Sequence, residues 1–357
     1  MNEPMTRQQR FAAINAEMQK RILVLDGSMG AYLQGFSLTS NDFHGARFAE
    51  HPQALKGNND LLQLTRPELV LQVHESYLAA GADVIETNTF SGTSISQAEY
   101  ALEEVAYEIN LEGAGFARLV ADKFERKDGK PRLVAGAMGP TTKLLSMSPD
   151  VGDPGRRDCD FDTMAKAYEE QARGLIVGGA DVLLIETITD TLNAKAALWG
   201  AWEAFDKTGE ELPLWISGTI TDRSGRTLSG QTVEAFYNSI RHAKPWAVGL
   251  NCALGPAEMR AFLADLARVA ECAVSAYPNA GLPNAMGAYD ETACSMEVHY
   301  AEWAKAGLVN ILGGCCGTTP EHIEHLRHAI EGVKPRSIPA HDARLRLAGL
   351  EPFTAAA

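Results

Sequence analysis

The chain has 357 residues, of which 45% are apolar, and its formal net charge is −14. This length allows one large domain or two smaller ones, and an acidic chain without a basic stripe argues against nucleic acid or an anionic membrane as partner. No apolar run reaches membrane-spanning length and the N-terminus lacks the pattern of a signal peptide, so we expect a cytoplasmic protein.

Eight short apolar runs recur along the chain. They are rich in Val, Ile and Leu, which is typical of strands buried on both faces of a parallel sheet. The predicted strands lie at residues 22–27, 82–88, 133–138, 181–187, 214–219, 247–252, 273–279 and 309–314.

Stretches with helical start and stop signals separate these runs. The predicted helices cover residues 67–80, 161–177, 191–205, 232–242, 256–271 and 291–306, and a last helix is capped by Thr319. Residues 5–20 are predicted to form an extra helix that closes the barrel bottom. Residues 28–66 are predicted to form an elaborate loop at the top.

The number of strand–helix units decides between two α/β architectures. Eight units favour a (β/α)₈ TIM barrel with an N-terminal extra helix over an open, doubly wound sheet. We therefore predict one barrel domain over residues 1–332 and a C-terminal tail over residues 333–357.

Polar residues stand at the ends of the predicted strands. Active sites of such barrels lie at the carboxyl ends of the strands, and burying polar groups there is costly unless they bind something. The residues at these ends are Asp26, Asn88, Glu186, Asn251, Cys252, Asn279, Cys315 and Cys316.

Three of these residues are cysteines. Cys252 ends the sixth strand, whereas Cys315 and Cys316 follow the eighth in a glycine-rich turn. In a closed barrel only one strand lies between the sixth and the eighth strand. The three thiols can therefore meet at a zinc ion that keeps one coordination position open. The alternatives are three buried apolar cysteines, a strained Cys315–Cys316 disulfide and a phosphate-binding loop. The three thiols together favour zinc.

The carboxylates at the mouth suggest a second binding function. Asp26 and Glu186 have no Lys or Arg beside them in sequence, so they suit an ammonium group, although backbone amides or an arginine could also satisfy them. The amides of Gly27 and Ser28 could take a carboxylate. Together these groups would bind an α-amino acid.

Several motifs carry a resemblance to a known family. The order and spacing of residues 26–30, 86–90, 186–187, 251–252 and 313–318 resemble the homocysteine S-methyltransferase family across nearly the whole chain. Residues 56–62 and 223–231 most resemble the N-terminal homocysteine module of cobalamin-dependent methionine synthase. Residues 346–352 resemble the segment that leads into its folate module.

The resemblance implies a zinc-dependent barrel that methylates the sulfur of L-homocysteine. It assigns Cys252, Cys315 and Cys316 as zinc ligands, and Asn279 as the ligand of the fourth position when substrate is absent. No side chain beyond this zinc site is implied to act as a catalyst.

The resemblance also assigns the substrate contacts. Asp26 and Glu186 would hold the ammonium group of homocysteine, and the amides of Gly27 and Ser28 would hold its carboxylate. The zinc-bound thiolate would then attack the methyl group of methylcobalamin.

The source of the methyl group divides the remaining interpretations. The sequence ends before the folate-binding and cobalamin-binding modules of the synthase, so we expect a split synthase whose methylcobalamin is carried by a cobalamin- and folate-binding partner polypeptide. A truncated module would have the same sequence. The alternatives are a self-sufficient enzyme that uses S-methylmethionine or betaine, a zinc hydrolase and a zinc-stabilised scaffold.

Overall fold

A computed structural model describes residues 5–221, 223–284 and 289–356. Eight parallel strands form a ring, and each predicted apolar run contributes one of them. The strands are β1 (Leu23–Val24), β2 (Val84–Glu86), β3 (Leu133–Met138), β4 (Val182–Ile188), β5 (Leu214–Gly218), β6 (Ala247–Asn251), β7 (Ala273–Tyr277) and β8 (Ile311–Leu312).

The ring is closed at both sides of β1. Each strand from β2 to β8 pairs with the next, and β1 pairs with β8. A bridge between Leu25 and Val84 joins β1 to β2, and the N–H of Asp26 donates to Val84 O at 3.0 Å. The predicted TIM barrel is therefore confirmed, and the open-sheet alternative is wrong.

Thirteen α-helices surround the barrel or lie in its loops within the described residues. They are α1 (Arg7–Met18), α2 (Met29–Gln34), α3 (Ser40–His44), α4 (Leu62–Thr65), α5 (Pro67–Ala80), α6 (Ser94–Gln97), α7 (Ala106–Asp128), α8 (Phe161–Gly178), α9 (Thr191–Thr208), α10 (Val233–Ile240), α11 (Pro256–Val269), α12 (Ala293–Lys305) and α13 (Pro320–Ala329). Short 3₁₀ turns lie at Asn59–Leu61, Ala98–Tyr100, Glu103–Val105 and Arg241–Ala243.

The predicted helices are confirmed, with shifts of a few residues at their ends. The long helix α7 was not predicted from the sequence, although its 23 residues include a buried face and it packs against β3. Among the described helices, none is both long and apolar enough to cross a membrane.

The barrel interior is packed with side chains and is not a pore. A cluster of strand residues centred on Trp215 fills it, and Ile14 and Met18 of α1 close it from below. Arg10 of α1 donates to Asp181 at 2.9 Å under the barrel. The predicted closing helix is thus present, and the free space lies at the carboxyl ends of the strands.

Residues beyond α13 run back along the barrel. They include an antiparallel hairpin of β9 (Arg346–Ala348) and β10 (Pro352–Thr354) that packs on α10. The N–H of Thr232 donates to Leu350 O at 3.1 Å, and Arg226 pairs with Glu351. The segment that we predicted as a tail therefore contacts the loop that follows β5.

Candidate functional site

A cavity of about 350 Å³ opens at the carboxyl ends of the strands. Its wall brings together residues from the ends of β1, β2, β4, β6, β7 and β8. Seven of the eight predicted site residues line it: Asp26, Gly27, Ser28, Glu186, Cys252, Cys315 and Cys316. No Lys, Arg or His is among its lining residues, all of which belong to the described part of the chain.

The three cysteine sulfur atoms form one compact group. Cys252 Sγ lies 3.8 Å from Cys316 Sγ, and Cys315 Sγ lies 3.9 Å from Cys316 Sγ. All three lie within 4.8 Å of one another and are not joined by disulfides. Sulfur ligands of a tetrahedral zinc ion at about 2.3 Å lie about 3.8 Å apart, so the spacing fits this metal.

The backbone around the cysteines explains how the thiols converge. Cys252 and Ala253 both have left-handed backbone angles, with φ of 60° and 58°, which turn the chain sharply at the end of β6. Gly317 has φ of 82°, and a Cβ atom there would lie 2.4 Å from the Cβ of Tyr289. Cys315 donates its N–H to Pro278 O at 2.8 Å, which ties the turn after β8 to β7.

The thiols do not ionise independently. Hydrogen bonds from Cys252 and Cys315 lower the pKa of Cys316, whereas the same contacts together with burial raise the pKa of Cys315. The hydrogen bonds among the three sulfurs thus favour the thiolate form of Cys316. Such a cluster is a strong attractor for a thiophilic cation.

The two predicted carboxylates lie in the cavity wall and are almost fully buried. Asp26 is 2% exposed and Glu186 is 3% exposed. The Tyr277 hydroxyl donates to Glu186 Oε2 at 3.4 Å, but Asp26 Oδ1 has no hydrogen-bond partner. Burial raises the pKa of both groups, Glu186 further raises that of Asp26, and Glu86 raises that of Glu186.

Glu86 is a third carboxyl group at this position, and the sequence reading gave it no role. Its N–H donates to Asp26 Oδ2 at 3.0 Å, and its own Oε1 is buried without a partner. Burial, and next the charge of Asp26, raise the pKa of Glu86. Its place at the end of β2 was the signal available, because Glu186 lies in the same way near the carboxyl end of β4.

The predicted amide site is only partly free. The N–H of Ser28 donates to the hydroxyl of Thr318 at 3.1 Å, and the Ser28 hydroxyl caps α2 by accepting from the Ala31 N–H. Gly27 lines the cavity beside it. A substrate carboxylate would therefore meet Gly27 directly and would compete with Thr318 for Ser28.

Asn279 lies just behind the cavity wall. It is buried, and its Oδ1 has no hydrogen-bond partner. The N–H of the next residue, Ala280, donates to Cys316 O at 2.8 Å, so the backbone of Asn279 adjoins the cysteine turn. This oxygen is available as a ligand.

The two remaining strand-end asparagines hold the wall together. Asn251 accepts from the N–H of Thr187 at 3.1 Å and from the Ser217 hydroxyl at 2.7 Å, which links β6 to β4 and β5. Asn88 donates to Gln63 Oε1 at 2.6 Å. Asn251 is thus engaged in the fold, whereas Asn88 also lines the cavity.

Comparisons with known proteins agree with this geometry. The sequence profile of the family described as homocysteine S-methyltransferase matches residues 23–330. The crystal structure of the homocysteine methyltransferase MmuM from Escherichia coli, metallated form, is similar with a TM-score of 0.67 and 21% identity, covering 88% of this chain and 98% of that one. Its oxidized form gives a TM-score of 0.69 at 20% identity, covering 89% and 99%. At these identities the structures support the shared fold.

Proposed function

The chain belongs to the homocysteine S-methyltransferase family, and from this premise we propose that it activates L-homocysteine to accept a methyl group from methylcobalamin on a separate polypeptide. It is a methyltransferase by family. The observation that carries the proposal is the group of three thiols, spaced for zinc, beside a cavity whose buried carboxyl groups have no cationic neighbour.

The thiols support a zinc site. Cys252, Cys315 and Cys316 would hold the ion, and the unpartnered Oδ1 of Asn279 would be its fourth ligand before substrate arrives. When bound, zinc lowers the pKa of a substrate thiol and keeps its sulfur nucleophilic at neutral pH. Thiolate ligands need a reducing compartment, which supports our proposal of a cytoplasmic enzyme.

The rest of the cavity would orient the amino acid. The carboxylates of Asp26 and Glu186 bind the ammonium group, and the Gly27 amide, with Ser28 if its bond to Thr318 opens, binds the carboxylate. The side chain of homocysteine then extends toward the cysteines. Fixing both ends of the substrate aligns its sulfur with the cavity mouth, where the methyl group must approach to about 3–3.5 Å.

Two features support a corrinoid partner. Residues 57–60, within the segment that resembles the methionine synthase module, line the cavity. Loops at the carboxyl face also expose apolar side chains: Phe90 after β2, Leu228 after β5 and Leu282 after β7 are 40%, 47% and 43% exposed. We propose these loops at the carboxyl face as the docking surface for the corrinoid polypeptide, because exposed apolar patches mark interaction sites.

The cavity also favours a second donor class. Its outer wall carries Asp60, Glu99, Phe90 and Tyr100. Acidic and aromatic groups attract onium cations, so S-methylmethionine or betaine is the alternative donor.

Methionine formation by the zinc-loaded protein distinguishes the two donors. Each reaction contains homocysteine and one methyl source: methylcobalamin on a cobalamin-binding polypeptide, S-methylmethionine or betaine. We expect turnover that saturates as the cobalamin polypeptide is titrated. Turnover of S-methylmethionine or betaine alone at about 1 s⁻¹ or faster would replace the corrinoid proposal with the alternative.

A further inference from the structure

The carboxyl cluster contains one more acid than the proposed contacts use. Asp26, Glu86 and Glu186 all line the cavity, and no Lys, Arg or His lines it within the described residues. Asp26 Oδ1 and Glu86 Oε1 are both buried and have no hydrogen-bond partner. The Glu86 side chain lines the cavity, and within the described residues its carboxyl group accepts no hydrogen bond, which is costly and points to a donor that arrives in the cavity.

The Glu86 side chain is not needed to position Asp26. The hydrogen bond to Asp26 Oδ2 comes from the backbone N–H of Glu86, which any residue except proline would supply. The carboxyl group of Glu86 is instead a second buried acid beside Asp26, where its ionised form is disfavoured. A structural role for this carboxyl therefore leaves its presence unexplained.

A primary ammonium group has three N–H donors, each of which can meet one acceptor. We propose that Glu86 is the third acceptor for the substrate ammonium group, so that Asp26, Glu86 and Glu186 take one N–H each. The site would then select a primary, positively charged amino group. This inference rests on the proposed function and adds a specificity-determining residue to it.

The same arrangement explains why a cavity with three acids contains no basic side chain. A fixed Lys or Arg would occupy the acceptors and compete with the substrate. The ammonium group of the incoming amino acid supplies the missing donors and positive charge together. The burial of the acids makes each of these hydrogen bonds stronger than it would be in water.

The test compares Glu86→Gln with the unsubstituted protein, both zinc-loaded, by calorimetric titration. The ligands are L-homocysteine and 4-mercaptobutanoate, which has the same thiol and carboxylate but no amino group. Losing one charge-assisted hydrogen bond should weaken homocysteine binding about 10- to 150-fold and leave 4-mercaptobutanoate binding unchanged. Glu104→Gln, an exposed acid in a 3₁₀ turn, is the matched control.

Two results would overturn the inference: unchanged homocysteine binding, or an equal loss for both ligands. A second measurement needs no variant, since N-methyl-L-homocysteine keeps the charge but has one N–H fewer. It should bind the unsubstituted protein at least about 10-fold more weakly than homocysteine, and equal binding would also overturn the inference. If the unsubstituted protein retains zinc but binds none of the three ligands, the proposed function itself fails.

Discussion

The backbone N–H of Ser28 donates to the hydroxyl of Thr318 at 3.1 Å, although 290 residues separate them. The same hydroxyl donates to Cys315 O at 2.7 Å. Thr318 therefore connects the loop after β1, where the substrate carboxylate is proposed to bind, with the turn that carries two proposed zinc ligands. The Thr318 hydroxyl is thus one link between the two proposed parts of the substrate site, beside the bond from the Gly314 N–H to Asp26 O at 3.1 Å.

Replacing the Thr318 hydroxyl with a methyl group should change homocysteine binding without changing zinc binding. We expect Thr318→Val to keep its zinc but to bind homocysteine about 2- to 10-fold more tightly, because the Ser28 N–H no longer gives up a neutral hydrogen bond before it binds the substrate carboxylate. Zinc analysis and calorimetric titration measure the two effects, with Thr163→Val on the exposed face of α8 as the control. Loss of zinc in Thr318→Val would instead mean that Thr318 builds the metal site.

The cysteine cluster should bind one zinc ion per chain. We expect Cys315→Ser and Cys316→Ser to lose zinc and methyl transfer while the barrel stays folded, because both residues line the cavity at the strand ends and the exchange of sulfur for oxygen changes little volume. Metal analysis and far-ultraviolet circular dichroism test this, with the exposed Cys294→Ser as the matched control. Unfolding of both variants would indicate a structural metal.

The two acids proposed to bind the ammonium group can be tested by substitution. Asp26→Asn and Glu186→Gln should keep zinc but bind homocysteine about 10- to 150-fold more weakly, because each loses a charge-assisted hydrogen bond. The exposed Asp206→Asn should bind normally. Unchanged affinity in both cavity variants would contradict the proposed role of these acids.

Asp60 gives the protein a pH-dependent stability. Burial raises the pKa of this carboxyl to about 7, although Ser91 donates its N–H to it. The folded state therefore keeps a proton that the unfolded chain loses near pH 4, and this contribution to stability falls as pH rises from about 4 to 7. The other raised acids, Asp26, Glu86 and Glu186, act in the same direction.

Asp60→Asn should remove part of this dependence. Urea unfolding of zinc-free protein at pH 5 and pH 7.5 should show a smaller loss of unfolding free energy in the variant than in the unsubstituted protein. The exposed Asp150→Asn should behave like the unsubstituted protein. An equal loss of unfolding free energy in all three proteins would mean that folding does not raise the pKa of Asp60.

The strands and the cysteines could be predicted because their signals are local. Apolar runs indicate buried strands, and the polar residue that ends each run must lie at one rim of a parallel barrel. Cys252 and Cys315 could therefore be brought together without knowledge of any contact. The bulge between Ile185 and Ile188, which gives Thr187 its φ of 55°, has no such pattern.

Features that depend on distant partners could not be predicted in this way. The competition for the Ser28 amide requires Thr318, and the importance of Glu86 appears only when its Oε1 is found without a partner beside Asp26. The hairpin of β9 and β10 was also missed, because its exposed strands have no buried face to impose an apolar pattern.

The exposed apolar residues on the loops after β5 and β7 should contribute to recognition of the corrinoid polypeptide. Leu228 and Leu282 lie on loops after β5 and β7 and are a little under half exposed, so covering either side chain contributes about half of the 1.5–3 kcal/mol of full burial. We expect Leu228→Asp or Leu282→Asp to raise the partner concentration at half-maximal methionine formation about 3- to 15-fold. Zinc content and homocysteine affinity should stay unchanged, because neither side chain lines the cavity.

The control for this last experiment is Val177→Asp, an equally drastic change on α8, where the side chain is 57% exposed. It should leave the titration with the partner unchanged, since α8 lies outside the barrel wall and away from the mouth. If the partner concentration at half-maximal methionine formation is unchanged in both leucine variants, these residues are not part of the docking interface. If the leucine variants instead lose homocysteine binding, the loops act on the substrate site and the apolar mouth no longer supports a separate methyl carrier.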